Sequence, residues 1–240
     1  MGGGAVTVSV VLPTYNEGET ILGLIAEIRG TLPEAEVVVV DDDSPDRTWS
    51  VVIEAYRGDD RVRVIRRIGR RGLPSALAEG LAAGRGEASV WLDADGSMPP
   101  DVIPRLIASL EDADVSVASR YVLGGEDARE SRLRIATSRL INFVASTLLS
   151  SDVRDYTSGF VAVRRQALER VPLRTDFTYG EYCIDFLYRA CRAGLRVREI
   201  PYRNVERQAG ESKTAPDLAR FAALGAAYLK TILSLRLRAR

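Results

Sequence analysis

Four short apolar runs, at residues 6–12, 37–40, 62–65 and 89–92, recur through the first part of the chain, and a helical pattern follows each of the first three. No other feature restricts the fold as tightly. The runs are predominantly apolar, and 37–40 is so throughout, as a strand buried on both faces reads. Ile21, Leu24, Ile25 and Ile28 form one helical stripe between the first two runs. Further helices are expected from Pro45 to about residue 57, with Ser44 as N-cap, and over 73–83. Such alternation predicts an α/β fold with a Rossmann-like, mostly parallel central sheet and helices on both faces. Ligands of such sheets bind outside the carboxyl ends of the strands. The polar loops 13–18, 41–46 and 93–98 all fall there, so one pocket can collect all three.

The second half is less regular. Strands are expected at 115–119, 160–163 and 197–200, and helices at about 131–149, 182–193 and 216–237. No repeat or linker interrupts the chain, which predicts a single domain over residues 1–240, with a core of about 6–214 and a C-terminal helix within 215–240.

Charge and composition remove several function classes. Lys and Arg total 33 and so do Asp and Glu, and this zero net charge argues against a nucleic-acid partner. No Gly-x-Gly-x-x-Gly follows the first strand and no Gly-Lys-Ser/Thr occurs, which disfavours a dinucleotide dehydrogenase and a P-loop NTPase. Cys183 and Cys191 share one expected helix, roughly 12 Å apart, too far to bridge, and read as reduced thiols of a cytosolic protein. The N-terminus lacks a signal-like apolar run, and the longest apolar window, 219–235, contains Lys230 and falls short of the about 20 residues that span a bilayer. A cytoplasmic protein, peripheral at most to a membrane, is expected. Phe221, Leu224, Tyr228, Ile232 and Leu235 recur at helical spacing in that window, which suits either a helix at a lipid interface or one packed on the sheet.

There is no histidine. Catalysis must then use carboxylates, a metal, or a nucleophile already ionised. Asp93-Ala94-Asp95 stands just past the fourth strand, before a turn of Gly96, Ser97, Pro99 and Pro100. Its carboxylates are hard oxygen ligands, suited to Mg2+ or Mn2+ on a substrate's phosphates. Arg129, Arg132, Arg134 and Arg139 cluster in one segment and Arg236, Arg238 and Arg240 in another, for phosphates, an anionic membrane or solvent.

Six segments in order resemble glycosyltransferase family 2, with its GT-A fold: Pro13-Thr14-Tyr15-Asn16-Glu17, Asp41 to Asp46, Asp93-Ala94-Asp95, Ser119-Arg120-Tyr121, Thr157-Ser158-Gly159-Phe160 and Gly210-Glu211-Ser212-Lys213. The set is most similar to the branch of dolichol-phosphate mannose synthases and related polyprenyl-phosphate glycosyltransferases. The resemblance implies inverting, metal-dependent transfer of a hexose from a nucleotide sugar, GDP-mannose being favoured, to dolichyl or polyprenyl phosphate. It implies that Pro13, Tyr15, Glu17 and Asp42 hold the nucleotide, with Asp41 and Asp43 solvating the loop. Asp93 and Asp95 would hold Mg2+ or Mn2+, joined by Ser97, where the family often has Gln. Arg207 and Lys213 would close on the donor phosphates, and Arg120, Arg134 and Ser138 would hold the acceptor phosphate. Glu181 and Asp185 lie near the family's acidic position before that last loop. Contact with a membrane, or with a membrane-anchoring partner, is part of the same expectation. The alternatives are a UDP-glucose or other UDP-sugar donor, a hydroxyl acceptor served by a carboxylate base such as Asp185, or a noncatalytic nucleotide-sugar-binding module.

Overall fold

The uninterrupted valines 37–40 are buried on both faces inside the sheet, whereas the run 62–65, which carries Arg63, forms its part-buried edge. In the computed structural model, which describes residues 6–207 and 218–238, β1 (Val8–Thr14), β2 (Glu36–Asp41), β3 (Val62–Arg66) and β4 (Ala88–Trp91) are parallel neighbours. They join β5 (Val115–Ser119), β7 (Val161–Arg164) and β8 (Val197–Pro201) in a seven-stranded sheet of order β3-β2-β1-β4-β7-β5-β8. Only β7 is antiparallel, lying between β4 and β5. A separate two-stranded parallel sheet pairs β6 (Glu126–Asp127) with β9 (Arg203–Asn204).

Side chains alternate across the strands, and two cores result. Val10, Leu12, Val90 and Leu92 face one side with α1 (Ile21–Thr31), α2 (Thr48–Ala55) and α4 (Ile103–Ser109). Val11, Trp91, Val115 and Val117 face the other, covered by α3 (Leu73–Ala83), α5 (Arg132–Leu148), α6 (Arg165–Arg170), α7 (Glu181–Arg192) and α8 (Leu218–Arg238). Helices thus lie on both faces, as expected. Each fully buried aliphatic side chain of the α1 stripe contributes about 1.5–3 kcal/mol, so this face alone fixes the helix against the sheet. Trp91 meets Phe186 of α7 edge-on, with ring centroids 5.7 Å apart.

Two expectations need correction. Ser44 does not cap α2 and Pro45 is not helical: the helix starts at Thr48, after Arg47 in a left-handed conformation (φ 60°). The Ser44 hydroxyl and backbone N–H are both spent on the Asp41 carboxylate, at 2.6 and 2.8 Å. The Asp46 carboxylate instead accepts the Thr48 N–H. The C-terminal helix packs against α5 and α7 rather than directly on the sheet. Its expected stripe points into the protein, since Ile232 and Leu235 are buried in the core and Phe221, Leu224 and Tyr228 line a cleft. The residues left outward are Leu229, Leu233 and Leu237. No described helix is long and apolar enough to cross a membrane.

Candidate active site

Each of the three loops expected at the sheet edge is held there by its own polar residues. Thr14, at the end of β1, donates to Asp41 at 2.8 Å, and Asp41 is fully buried. Asp41 therefore ties β1 to the next loop instead of solvating it. Asn16 N–H donates to Ser44 Oγ, Glu17 N–H to Thr48 Oγ1 and Gly18 N–H to Asp46 Oδ2, each at 3.0 Å. Asp43 pairs with Arg66 at the rim.

These staples shape a cleft of about 260 Å3 lined by Pro13, Tyr15, Glu17 and Asp42, together with Asp93, Asp95 and Arg207. Asp42 accepts the Gly72 N–H at 2.8 Å and faces the buried Arg67 guanidinium at 3.3 Å. Burial pushes its carboxyl up, and the Gly72 N–H and the Arg67 charge offset only part of that. Arg71 stacks on the Tyr15 ring, 4.3 Å from its centroid. Neither Arg67 nor Arg71 was singled out from sequence, although the basic run Arg70-Arg71 before Gly72 and Pro74 marks the entry to α3.

The Asp93-x-Asp95 turn follows β4 directly. Gly96 holds φ +76° there, a region where L side chains are strained, and so lets the chain reverse right after Asp95. Asp95 accepts the Ser97 N–H at 3.0 Å and pairs with Arg207 at 2.8 Å. The Ser97 carbonyl accepts from Asn204 Nδ2 and from Val205 N–H, at 3.0 and 3.1 Å. The strand β9 therefore buttresses the turn. Among the described residues no group of three acidic, Cys or His side chains could hold a metal. Two carboxylates fit Mg2+ or Mn2+ only if phosphate oxygens and water complete the shell, which is how Mg2+ usually binds. The Arg207 cation on Asp95 shows that positive charge is accommodated there.

A second cleft, of about 190 Å3, opens on the other side of the same aspartates. Arg120, Arg129, Arg134 and Ser138 line it along with Ser97. Arg134 and Ser138 lie one turn apart on α5, as their spacing predicts. Arg120 is buried, and its Nε and Nη2 donate to Asp155 at 2.8 and 2.7 Å. Burial opposes the guanidinium charge, but Asp155 outweighs it and holds the group firmly protonated. Arg129 forks onto Asp127, with both bonds at 2.7 Å. Arg132 and Arg139 point to solvent.

The two clefts share Asp93, Asp95, Tyr179 and Arg207. Tyr179 was missed from sequence, where it is one tyrosine among nine. A Cβ at the next residue, Gly180, would stand 2.3 Å from the Tyr228 hydroxyl, so α8 seats directly on this turn. Glu181 accepts the Tyr179 N–H at 2.9 Å and shapes the turn. Asp185 is fully buried and paired with Arg174 and Arg189. Neither acid lines either cleft, so Asp185 is not placed to act as a base. Burial pushes the Cys183 thiol up to about 12 and the Cys191 thiol to about 11, which leaves both as inert packing groups. Lys213 and the loop Gly210-Glu211-Ser212 lie outside the described residues.

Residues 9–171 match the model of Glycosyl transferase family 2. Polyprenol monophosphomannose synthase of Mycolicibacterium smegmatis is 36% identical over 211 residues, covering 85% of this chain and 79% of that protein. Undecaprenyl-phosphate mannosyltransferase of Micrococcus luteus is 34% identical over 210 residues, covering 86% of each. Dolichol-phosphate mannosyltransferase of Pyrococcus furiosus is 37% identical over 211 residues, 86% of this chain but 58% of that longer protein. Among solved structures, glucosyl-3-phosphoglycerate synthase from Mycobacterium tuberculosis, in complex with Mn2+, UDP and phosphoglyceric acid, superposes with a TM-score of 0.74 at 23% identity, covering 96% of this chain and 78% of that one. That likeness identifies the fold as GT-A. With the expected loops gathered at one sheet edge and relatives matched along most of both sequences, the chain is a glycosyltransferase and belongs to glycosyl transferase family 2.

Proposed function

We propose that the protein transfers a hexose, mannose from GDP-mannose being favoured, to the phosphate of a polyprenol or dolichol. The carrying observation is the pair of clefts that meet at Asp93, Asp95, Tyr179 and Arg207, one with nucleotide-type polar groups and the other with three further arginines, Arg120, Arg129 and Arg134. The names of the relatives, each a polyprenyl- or dolichyl-phosphate mannosyl enzyme, support the same reading.

In this reading Pro13, Tyr15, Glu17 and Asp42 hold the nucleotide, and Arg207 faces its diphosphate. Asp93 and Asp95, with Ser97 at the rim, are the residues that would hold Mg2+ or Mn2+. Such an ion supplies Lewis-acid stabilisation of the charge on the leaving diphosphate. Arg134 and Ser138 grip the acceptor phosphate from one helix face, with Arg120 behind them. A phosphomonoester has its second pKa near about 6, so the acceptor is largely dianionic at neutral pH. Its oxygen bonds to the sugar's anomeric carbon as the bond from that carbon to the diphosphate breaks, with inversion, and the electron pair leaves with the nucleotide. No proton has to be removed. That accords with the absence of histidine and with Asp185 lying away from both clefts.

The protein works at a membrane surface in this scheme, because its acceptor is a lipid. Leu133, Leu140 and Phe143 on α5 and Leu229, Leu233 and Leu237 on α8 are exposed, with Arg132, Arg139, Lys230 and Arg236 on the same helices. The test is transfer of labelled mannose from GDP-mannose to a polyprenyl phosphate with Mn2+, alongside UDP-glucose. Labelled lipid should form, and Arg134→Ala should slow it on the order of a hundredfold while leaving nucleotide binding intact. No labelled lipid from either donor, or full activity in Arg134→Ala, would sink the reading.

A further inference from the structure

Thr157 offers one hydroxyl to four polar neighbours. Arg120 Nη2 donates to its Oγ1 at 2.9 Å and Asn142 Nδ2 at 2.8 Å. Ser138 Oγ and Asp155 Oδ1 each lie 3.4 Å away. A hydroxyl accepts at two positions and donates one proton. The two N–H groups fill both acceptor positions, so the Thr157 proton goes to Ser138 or Asp155, and Ser138 cannot donate back.

The Asn142 amide is not free to turn over. Its Oδ1 accepts the Tyr156 N–H at 2.7 Å, and Nδ2 also donates to the Ser138 carbonyl at 2.9 Å. Asn142 is buried and sits one turn beyond Ser138 on α5. The Ser138 proton is therefore directed away from Thr157. Thr157 itself lines the arginine cleft.

The geometry points to Thr157, clamped by Asn142, as a positioning residue for the acceptor phosphate. One oxygen fixes both the inner edge of the Arg120 guanidinium and the direction of the Ser138 hydroxyl. It joins α5, which carries Arg134 and Ser138, to the turn after β5, which carries Arg120. A phosphate arriving between them then meets donors already oriented, and the ordering cost is met in folding rather than in binding. This inference rests on the proposed role of Arg120, Arg134 and Ser138 and adds to it what holds them in register.

Thr157→Val keeps the side chain's shape and removes the oxygen. Thr157→Ser keeps the oxygen. Steady-state kinetics of the full chain, with donor and polyprenyl phosphate varied separately, should give Thr157→Val an acceptor KM raised about tenfold or more at an unchanged donor KM. Thr157→Ser should stay within about threefold of wild type on both. An unchanged acceptor KM in Thr157→Val would overturn the inference while leaving the reaction standing. So would equal rises in both KM values, the mark of a general structural loss, or a Thr157→Ser as impaired as Thr157→Val. A wild-type protein that transfers nothing to polyprenyl phosphate would overturn the proposed reaction, and this inference with it.

Discussion

Asp127 shows how one buried carboxylate can organise a cationic cleft. Its side chain is fully buried, forked by Arg129, approached by Arg120 at 3.9 Å and given a hydrogen bond by the Tyr121 hydroxyl. Burial pushes its carboxyl up, but the Arg129 hydrogen bonds and the charges of Arg120 and Arg129 outweigh that and hold it below the usual range. The sign follows from linkage. A carboxyl lowered on folding adds stability that is present above its unfolded pKa, about 3.9, and is lost as pH falls through the lower folded value. Asp127→Asn should therefore cost about 2 kcal/mol near neutral pH. The gap to wild type should close as pH drops below about 4. Urea unfolding of both proteins between neutral and acid pH checks this, and a gap independent of pH would refute it. Only half of such a relationship is visible in sequence. The aspartate pair is legible because polar residues at the end of an apolar strand have few places to go, and Arg120 and Arg134 are legible through the resemblance to the family. Their partners are not. Arg120 meets Asp155, 35 residues away, and Asp42 meets Arg67 across two elements, and no spacing rule joins either pair.

At the scale of elements, α5 serves three environments at once. Ile141, Asn142 and Ala145 are buried, Arg134 and Ser138 line the cleft, and Leu140 and Phe143 remain 60% and 68% exposed. Its neighbour α8 repeats the division, with Ile232 and Leu235 inside and Leu233 and Leu237 outside. Periodicity revealed the inner stripe of α8 but could not say which surface it meets, since a lipid interface and a helix pair ask for the same spacing. The six-residue α6 and the two-residue strands β6 and β9 escaped notice because they are too short to show a period. On the proposed reading, the outer residues of α5 and α8 rest on lipid, steadied by Arg139, Lys230 and Arg236. Leu140→Ser with Phe143→Ser should reduce binding to anionic vesicles about tenfold or more. Flotation at rising salt is the measurement. Undiminished binding would show that α5 does not touch the bilayer.

On the proposed reading, the whole molecule brings two anionic substrates together at a point that is itself anionic. Asp93 and Asp95 stand at the seam, and Arg207 balances Asp95 at 2.8 Å. Arg207 lies three residues past the end of β9, and β9 pairs with β6, the strand holding Asp127, while Asn204 and Val205 brace Ser97. A change in charge at Asp95 thus has a hydrogen-bonded route to the arginine cleft. Mutual repulsion between two carboxylates and a diphosphate must be neutralised before such a donor can bind, and Arg207, the guanidinium paired with Asp95, is by itself too little charge to do so. On the proposed reading, a divalent cation on Asp93 and Asp95 would supply the difference and compete with Arg207 for Asp95. Stabilisation by GDP should therefore need Mn2+. At a hundred times its Kd, ligand linkage adds about 2.7 kcal/mol, roughly 5–10 °C for a chain of this size. Asp95→Ala should fold and lose most of that shift. Arg207→Ala removes the competing cation, so Mn2+ alone should raise its melting temperature more than that of wild type. A GDP shift that survives chelation, or an Arg207→Ala protein indifferent to Mn2+, would show that the seam is balanced by its own residues.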